Sequence, residues 1–137
     1  MALNEARVCF ALGGYHFNPD DITCLLGIEP TYIDAAGTRS GLDKPVISSW
    51  ELSTNTVDGE VDVFKLMESL IKQLEPVKEN IIEVIKRYNL SPRIEVLLVL
   101  SAEKDKPKPD VGFGSRTVRF LADIGAFINV DYQFARQ

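Results

Sequence analysis

The stretch Ile94-Glu95-Val96-Leu97-Leu98-Val99-Leu100 constrains this chain more than any other, because six of its seven residues are apolar. It is too short for a core helix and far short of the ~20 residues of a membrane span. It therefore predicts a strand covered on much of both faces, with Ile94, Val96, Leu98 and Leu100 on one side and Leu97 and Val99 on the other. Such a strand needs a neighbour on each edge and a layer packed over it. Residues 5–12 supply a second strand of this kind. Ala6, Val8, Phe10 and Leu12 alternate with Arg7, Cys9 and Ala11, and Gly13-Gly14 is expected to end the run. Residues 46–53 and 126–134 read as edge-type strands with one apolar face. Trp50 and Leu52 point inward in the first, Ile128, Val130, Tyr132 and Phe134 in the second. A short extended piece is expected at Thr31–Asp34.

Helices fill the intervals. Asn18-Pro19-Asp20-Asp21 is a helix start, with Asn18 as N-cap, Pro19 at the first helical position and two acids at the positive end of the dipole. The two aspartates are thus read as capping residues rather than as a general acid/base pair. Gly27 ends this helix. Val63, Leu66, Met67, Leu70, Ile71 and Leu74 form one helical stripe, Pro76 breaks it, and Val77, Ile81, Val84, Ile85 and Tyr88 form another. Asn89 and Pro92 are expected to close this hairpin. Ser115 is expected to cap a last helix that ends at Gly125. Residues 102–114 form a long charged loop.

The resulting order is strand–helix–strand, a helical hairpin, then strand–helix–strand. It predicts an α+β fold: a ferredoxin-like antiparallel sheet of four to five strands, built from two interleaved strand–helix–strand units with the hairpin inserted. At 137 residues this is one domain, residues 1–137. The open sheet face is expected to show Cys9, Ala11, Leu97 and Val99 in its middle. Arg7, Glu51, Glu95, Asn129, Asp131 and Gln133 form the rim, and the 61–88 hairpin is positioned to cover part of that face.

Charge narrows the function. The chain carries 15 Lys+Arg against 20 Asp+Glu, a net charge of −5. Nucleic acid and anionic membranes require a basic footprint, so neither is expected as a partner. The central strands also lack the aromatics on which RNA bases stack. Residues 1–62 hold ten acids and three bases, whereas residues 63–137 hold ten acids and twelve bases. An acidic half of this kind steers a basic partner. The polar Met1–Arg7 start is not a secretory signal, and a cytoplasmic location is expected.

No constellation for catalysis stands out. His16 is the only histidine and Cys9 and Cys24 are the only cysteines, too few for a Cys/His zinc site or a disulfide framework. An enzyme pairing His16 with a cysteine lacks a recognised motif. Gly112-Phe113-Gly114 is the nearest approach to an anion-binding loop, but no strand directly precedes it and no lysine follows. Neither a cofactor nor a metal is expected.

Several segments taken together carry a family likeness: Phe10-Ala11-Leu12, Asn18-Pro19-Asp20-Asp21-Ile22-Thr23, Leu26-Gly27-Ile28-Glu29-Pro30, Ser49-Trp50-Glu51-Leu52 and Leu121-Ala122-Asp123-Ile124-Gly125-Ala126. On these the chain resembles, over nearly its whole length, the bacterial family called domain of unknown function 4279. The resemblance implies a small α+β domain and transfers no functional residue. The function expected from the residues is a non-enzymatic protein-binding module. Its sharpest form is an immunity protein that neutralises a bacterial toxin, a basic nuclease, by covering the active site. Asp34, Asp43, Asp58, Glu60 and Asp62 are the expected contacts, joined by Lys104, Asp105 and Asp110 of the long loop. The alternative is a small-molecule-binding or regulatory domain that dimerises through its open sheet face. Either a monomer or a homodimer fits the composition.

Overall fold

The computed structural model describes residues 4–35, 47–105 and 107–135. In chain order the elements are β1 (Glu5–Tyr15), α1 (Pro19–Leu26), β2 (Tyr32–Asp34), β3 (Ile47–Ser53), β4 (Val57–Asp58), α2 (Val63–Leu74), a 3-10 turn (Glu75–Val77), α3 (Lys78–Tyr88), β5 (Ser91–Leu100), α4 (Ser115–Ile124) and β6 (Phe127–Phe134). The fold is α+β with a mixed six-stranded sheet in the order β2-β3-β1-β5-β6, and β4 pairs with the start of β1. The two strands that are apolar on both faces, β1 and β5, lie side by side at the centre with Val8 opposite Val96.

The ferredoxin-like arrangement is corrected on two counts. First, the units are not interleaved: β3 lies directly beside β1, and β6 directly beside β5. Second, the sheet is not wholly antiparallel, because β6 runs parallel to β5. The reason is the connection. A crossover through α4 returns the chain to the end of β5 where that strand began, so β6 must run the same way. Between α1 and β3 the chain is longer, and β3 comes back antiparallel to β1.

One face of the sheet carries the core. Ala6, Val8, Phe10 and Leu12 of β1, Trp50 and Leu52 of β3, and Ile94, Val96 and Leu98 of β5 join a single cluster with Ile22 and Leu26, Val63, Met67, Leu70, Ile71 and Leu74, Ile81 and Val84, and Phe120, Leu121 and Ile124. Every α-helix therefore buries its stripe against the same side. This corrects the expectation for the 61–88 hairpin: α2 and α3 extend the covered face and leave the other open, because their apolar stripes match the large side chains of even-numbered β1 positions rather than Cys9 and Ala11.

Local chemistry explains the boundaries. Asn18 Oδ1 accepts from the Asp20 N–H at 3.0 Å, and Gly27 closes α1 with φ of 68°. Asp20 and Asp21 sit in the first turn, as capping requires. Replacing Asn18 by alanine is expected to lower stability by about 1 kcal/mol, read as a fall in thermal midpoint. Gly13-Gly14 does not end β1, because β3 continues to pair with it through Gly14–Ser48 and Tyr15–Ile47. A Cβ on Gly14 would meet Leu90 Cδ2 at 2.9 Å, so the glycine is required by close packing. Pro92 lies inside β5 rather than before it. The Leu100 carbonyl accepts from Ala135 N, so even-numbered β5 positions turn their polar backbone groups toward β6. Since β6 begins only opposite Arg93, the donor missing at Pro92 faces no partner strand. Ser115 does not cap α4: the N-cap position is Gly114, whose Cα lies so close to α2 that a Cβ would meet Phe64 Cε2 at 2.8 Å.

Candidate functional site

The sheet face away from the described helices is built by strand parity. Direct pairing places Glu5, Arg7, Cys9, Ala11 and Gly13 of β1 on the same side as Ile47, Ser49, Glu51 and Ser53 of β3 and Arg93, Glu95, Leu97 and Val99 of β5. Tyr32 and Asp34 of β2, Asp58 of β4, and Phe127, Asn129, Asp131 and Gln133 of β6 complete it. Cys9, Ala11, Leu97 and Val99 thus stand in the middle with the expected polar rim.

Two carboxylates flank the small residues at the centre. Glu51 accepts from Cys9 Sγ at 3.3 Å through Oε1 and from Ser49 Oγ at 3.1 Å through Oε2. Glu95 accepts from Asn129 Nδ2 at 2.7 Å through Oε2, and its Oε1 is paired with Arg93. The side chain of Glu95 is only 13% exposed, so this pair is better shielded than an ordinary surface bridge. Between these walls, above Ala11 and Gly13, lies a shallow pocket of about 210 Å³ that Ile47 and Ser49 also line. A second depression of about 270 Å³ lies toward the start of β1, among Glu5, Arg7, Thr56, Leu97, Val99, Asp131 and Gln133. Both fall below the ~300 Å³ at which enclosed small-molecule sites begin.

Six carboxylates (Glu5, Asp34, Glu51, Asp58, Glu95 and Asp131) face this side against two guanidiniums, Arg7 and Arg93, among the described strand residues. No lysine is among them. The described lysines lie on the helices and the long loop instead. Much of the net charge of −5 is therefore concentrated on the sheet face.

Cys9 is buried, and its thiol is pushed up to about 12 by burial and by the adjacent Glu51 carboxylate. It is a neutral hydrogen-bond donor, the opposite of an activated nucleophile. The raised value has a sign. Stability from keeping this thiol protonated is fully present below about pH 9, the unfolded value, and is lost as pH rises toward 12. Urea titrations between these limits are expected to show a steeper alkaline decline for the wild type than for Cys9→Ser. At neutral pH a thiol reagent is expected to label the exposed Cys24 rapidly and Cys9 only on unfolding. His16 is exposed in the turn after β1, with φ of 56°. Seven residues of extended chain, roughly 20 Å, separate it from Cys9. Among the described residues no group of three or more His, Cys, Asp or Glu side chains is placed to hold a metal ion. Among the described residues no helix is long and apolar enough to cross a membrane.

The sequence-derived contacts are dispersed. Asp58 is exposed on the open face, opposite Glu5. Asp34 lies toward the opposite edge of the sheet, across from Ser49. Asp62 is the N-cap of α2 and accepts from Lys65 N at 3.2 Å, a structural role. Glu60 and Asp110 meet in a separate cleft of about 520 Å³ with Asn4, Gly59, Val61 and Pro107–Pro109. Asn4 ties that corner together, donating to the Pro107 carbonyl at 2.9 Å and accepting from Ser101 N at 2.7 Å. Lys104 and Asp105 are exposed in the same loop. Asp43 lies outside the described residues. Glu51, Glu95 and Asp131 stand on the open face as the rim expected from alternation, and the strand register adds Glu5, Asp34 and Asp58 to them.

The arrangement defines a class: an α+β domain with one helix layer, a mixed sheet, and an acidic sheet face left open. The chain belongs to the family described as domain of unknown function (DUF4279), which matches residues 4–135. No curated protein and no solved structure matches it.

Proposed function

We propose that this chain is a non-enzymatic protein-binding module whose open sheet face docks onto a cationic protein. In its sharpest form it is a cytoplasmic immunity protein that covers the active site of a basic bacterial toxin domain such as a nuclease. The observation that carries this reading is the segregation of charge: among the described strand residues, six carboxylates stand against two guanidiniums on the sheet face away from the helices. A face of that sign steers a basic partner and raises its on-rate. The shallow relief, with Leu97, Val99 and Ile47 among the polar groups, suits a broad contact with a polar rim. Pairing two copies face to face would oppose these same carboxylates, which weighs against the alternative of a domain that dimerises there.

The test is co-purification with a toxin domain encoded beside this gene, followed by a nuclease assay with and without the chain. Stoichiometric inhibition is the expected result. Co-purification without inhibition would leave a binding module and remove the immunity reading. No retained basic protein, in pull-downs at low salt, would remove both.

A further inference from the structure

The edge strand β6 is exposed along its whole length in an unusual way. Phe127 (65%), Tyr132 (62%), Phe134 (59%), Val130 (39%) and Ile128 (38%) are all open to solvent. The strand contains no Pro or Lys, two of the devices that normally blunt a sheet edge, and carries a single charge, Asp131. Its outward backbone groups can be assigned. Because Ala135 N bonds to Leu100 O at 2.7 Å, odd-numbered β6 positions turn their N–H and C=O toward β5, and Ile128, Val130, Tyr132 and Phe134 turn theirs outward.

We propose that β6 pairs antiparallel with β6 of a second copy of this chain, about a two-fold axis at Val130. The occupant follows from the self-complementarity of the strand. A two-fold perpendicular to the sheet keeps like faces together, so only positions of equal parity can oppose. Centring on Val130 makes Val130–Val130 and Ile128–Tyr132 the hydrogen-bonded pairs, using the outward-turned groups. It sets Asn129 opposite Asp131 on the open face, twice, as donor against carboxylate. Asn129 spends one amide hydrogen on Glu95 and keeps a second for this contact. Centring on Asp131 instead would oppose two carboxylates. The apolar row otherwise exposed to water is covered by its own image, and one sheet runs through both copies with both acidic faces on the same side.

Sedimentation equilibrium at micromolar concentration is expected to give a dimer, twice 15.3 kDa. Val130→Pro removes an outward N–H that β5 does not use, and is expected to give a monomer with an unchanged circular dichroism spectrum. A wild-type chain that is monomeric throughout, or a dimer that survives this folded variant, would overturn the proposal. Should the proline variant unfold, cross-linking decides. In a Cys24→Ser background, Val130→Cys is expected to form a disulfide-linked dimer under mild oxidation, whereas Ile128→Cys, displaced from its own image, is not. No link at position 130, or equal linking at both, counts against the register and the dimer with it. Toxin capture does not depend on this pairing, so failure of either leaves the other standing.

Discussion

Trp50→Ala is expected to lower the unfolding free energy by about 3–5 kcal/mol, the range for large aromatic truncations in a packed core. Trp50 is fully buried in β3. It meets Phe10 edge-on, with ring centroids 6.4 Å apart and planes at 75°. Its indole N–H donates to Thr23 Oγ1 at 3.0 Å, tying α1 to the sheet. The truncation removes the ring contact, the bond to α1 and most of the volume between them. Against a typical total of ~5–15 kcal/mol, this is about a fifth or more of the stability of the domain. Trp50→Phe keeps the ring and loses the hydrogen bond, so it is expected to cost about 1–2 kcal/mol. Urea unfolding followed by circular dichroism makes the comparison, since Trp50 is the only tryptophan and its fluorescence vanishes with it. A cost for alanine near that for phenylalanine would mean that the site collapses around the gap, and that α1 is held by other contacts.

The second large effect is electrostatic and kinetic. Glu5 and Asp58 are exposed and directly opposed on β1 and β4. Reversing both to lysine adds two charges at each position and moves the net charge from −5 to −1. The association rate with a basic toxin partner is expected to fall by about tenfold at low salt. The difference should shrink as salt shortens the Debye length from ~10 Å at 0.1 M toward ~3 Å at 1 M. Stopped-flow association at several salt concentrations gives both readings. The fold should be unharmed, because the native pair is already a like-charge contact. The single change Glu5→Lys would create an opposite-charge cross-strand pair, worth a few tenths of a kcal/mol up to ~1. An on-rate equal to wild type at every salt concentration would show that the open face does not guide the encounter.

The strands were legible because alternation is a local property. Ala6–Leu12 and Ile94–Leu100 each carry two apolar faces, and the structure makes them central neighbours. The helices were legible for the same reason. Asn18, Pro19 and Gly27 act within a few residues of themselves, and the stripe from Val63 to Leu74 buries the residues that its spacing selects. Errors fell where a distant neighbour decides. Glycine at 13 and 14 reads as a stop, yet β3 supplies the pairing that carries the strand to Tyr15. Proline at 92 reads as an exclusion, yet β6 has not begun where its missing donor points.

What the sequence determined by itself was the helices and longer strands, the face that β1, β3 and β5 turn to the core, and the sign of the charge. It missed the short β4, and Ile128, Val130, Tyr132 and Phe134 of β6, expected inward, are exposed because β6 lies at the sheet edge. What only the tertiary structure decided was the order and direction of the strands, and with them the placing of Glu5, Asp34 and Asp58 on the face whose rim alternation had already given to Glu51, Glu95 and Asp131. Periodicity reports which side of an element meets water, because that depends on neighbours three or four residues away. Which strand lies beside which depends on groups brought together from ~40 to 100 positions apart, where loop closure leaves no local trace.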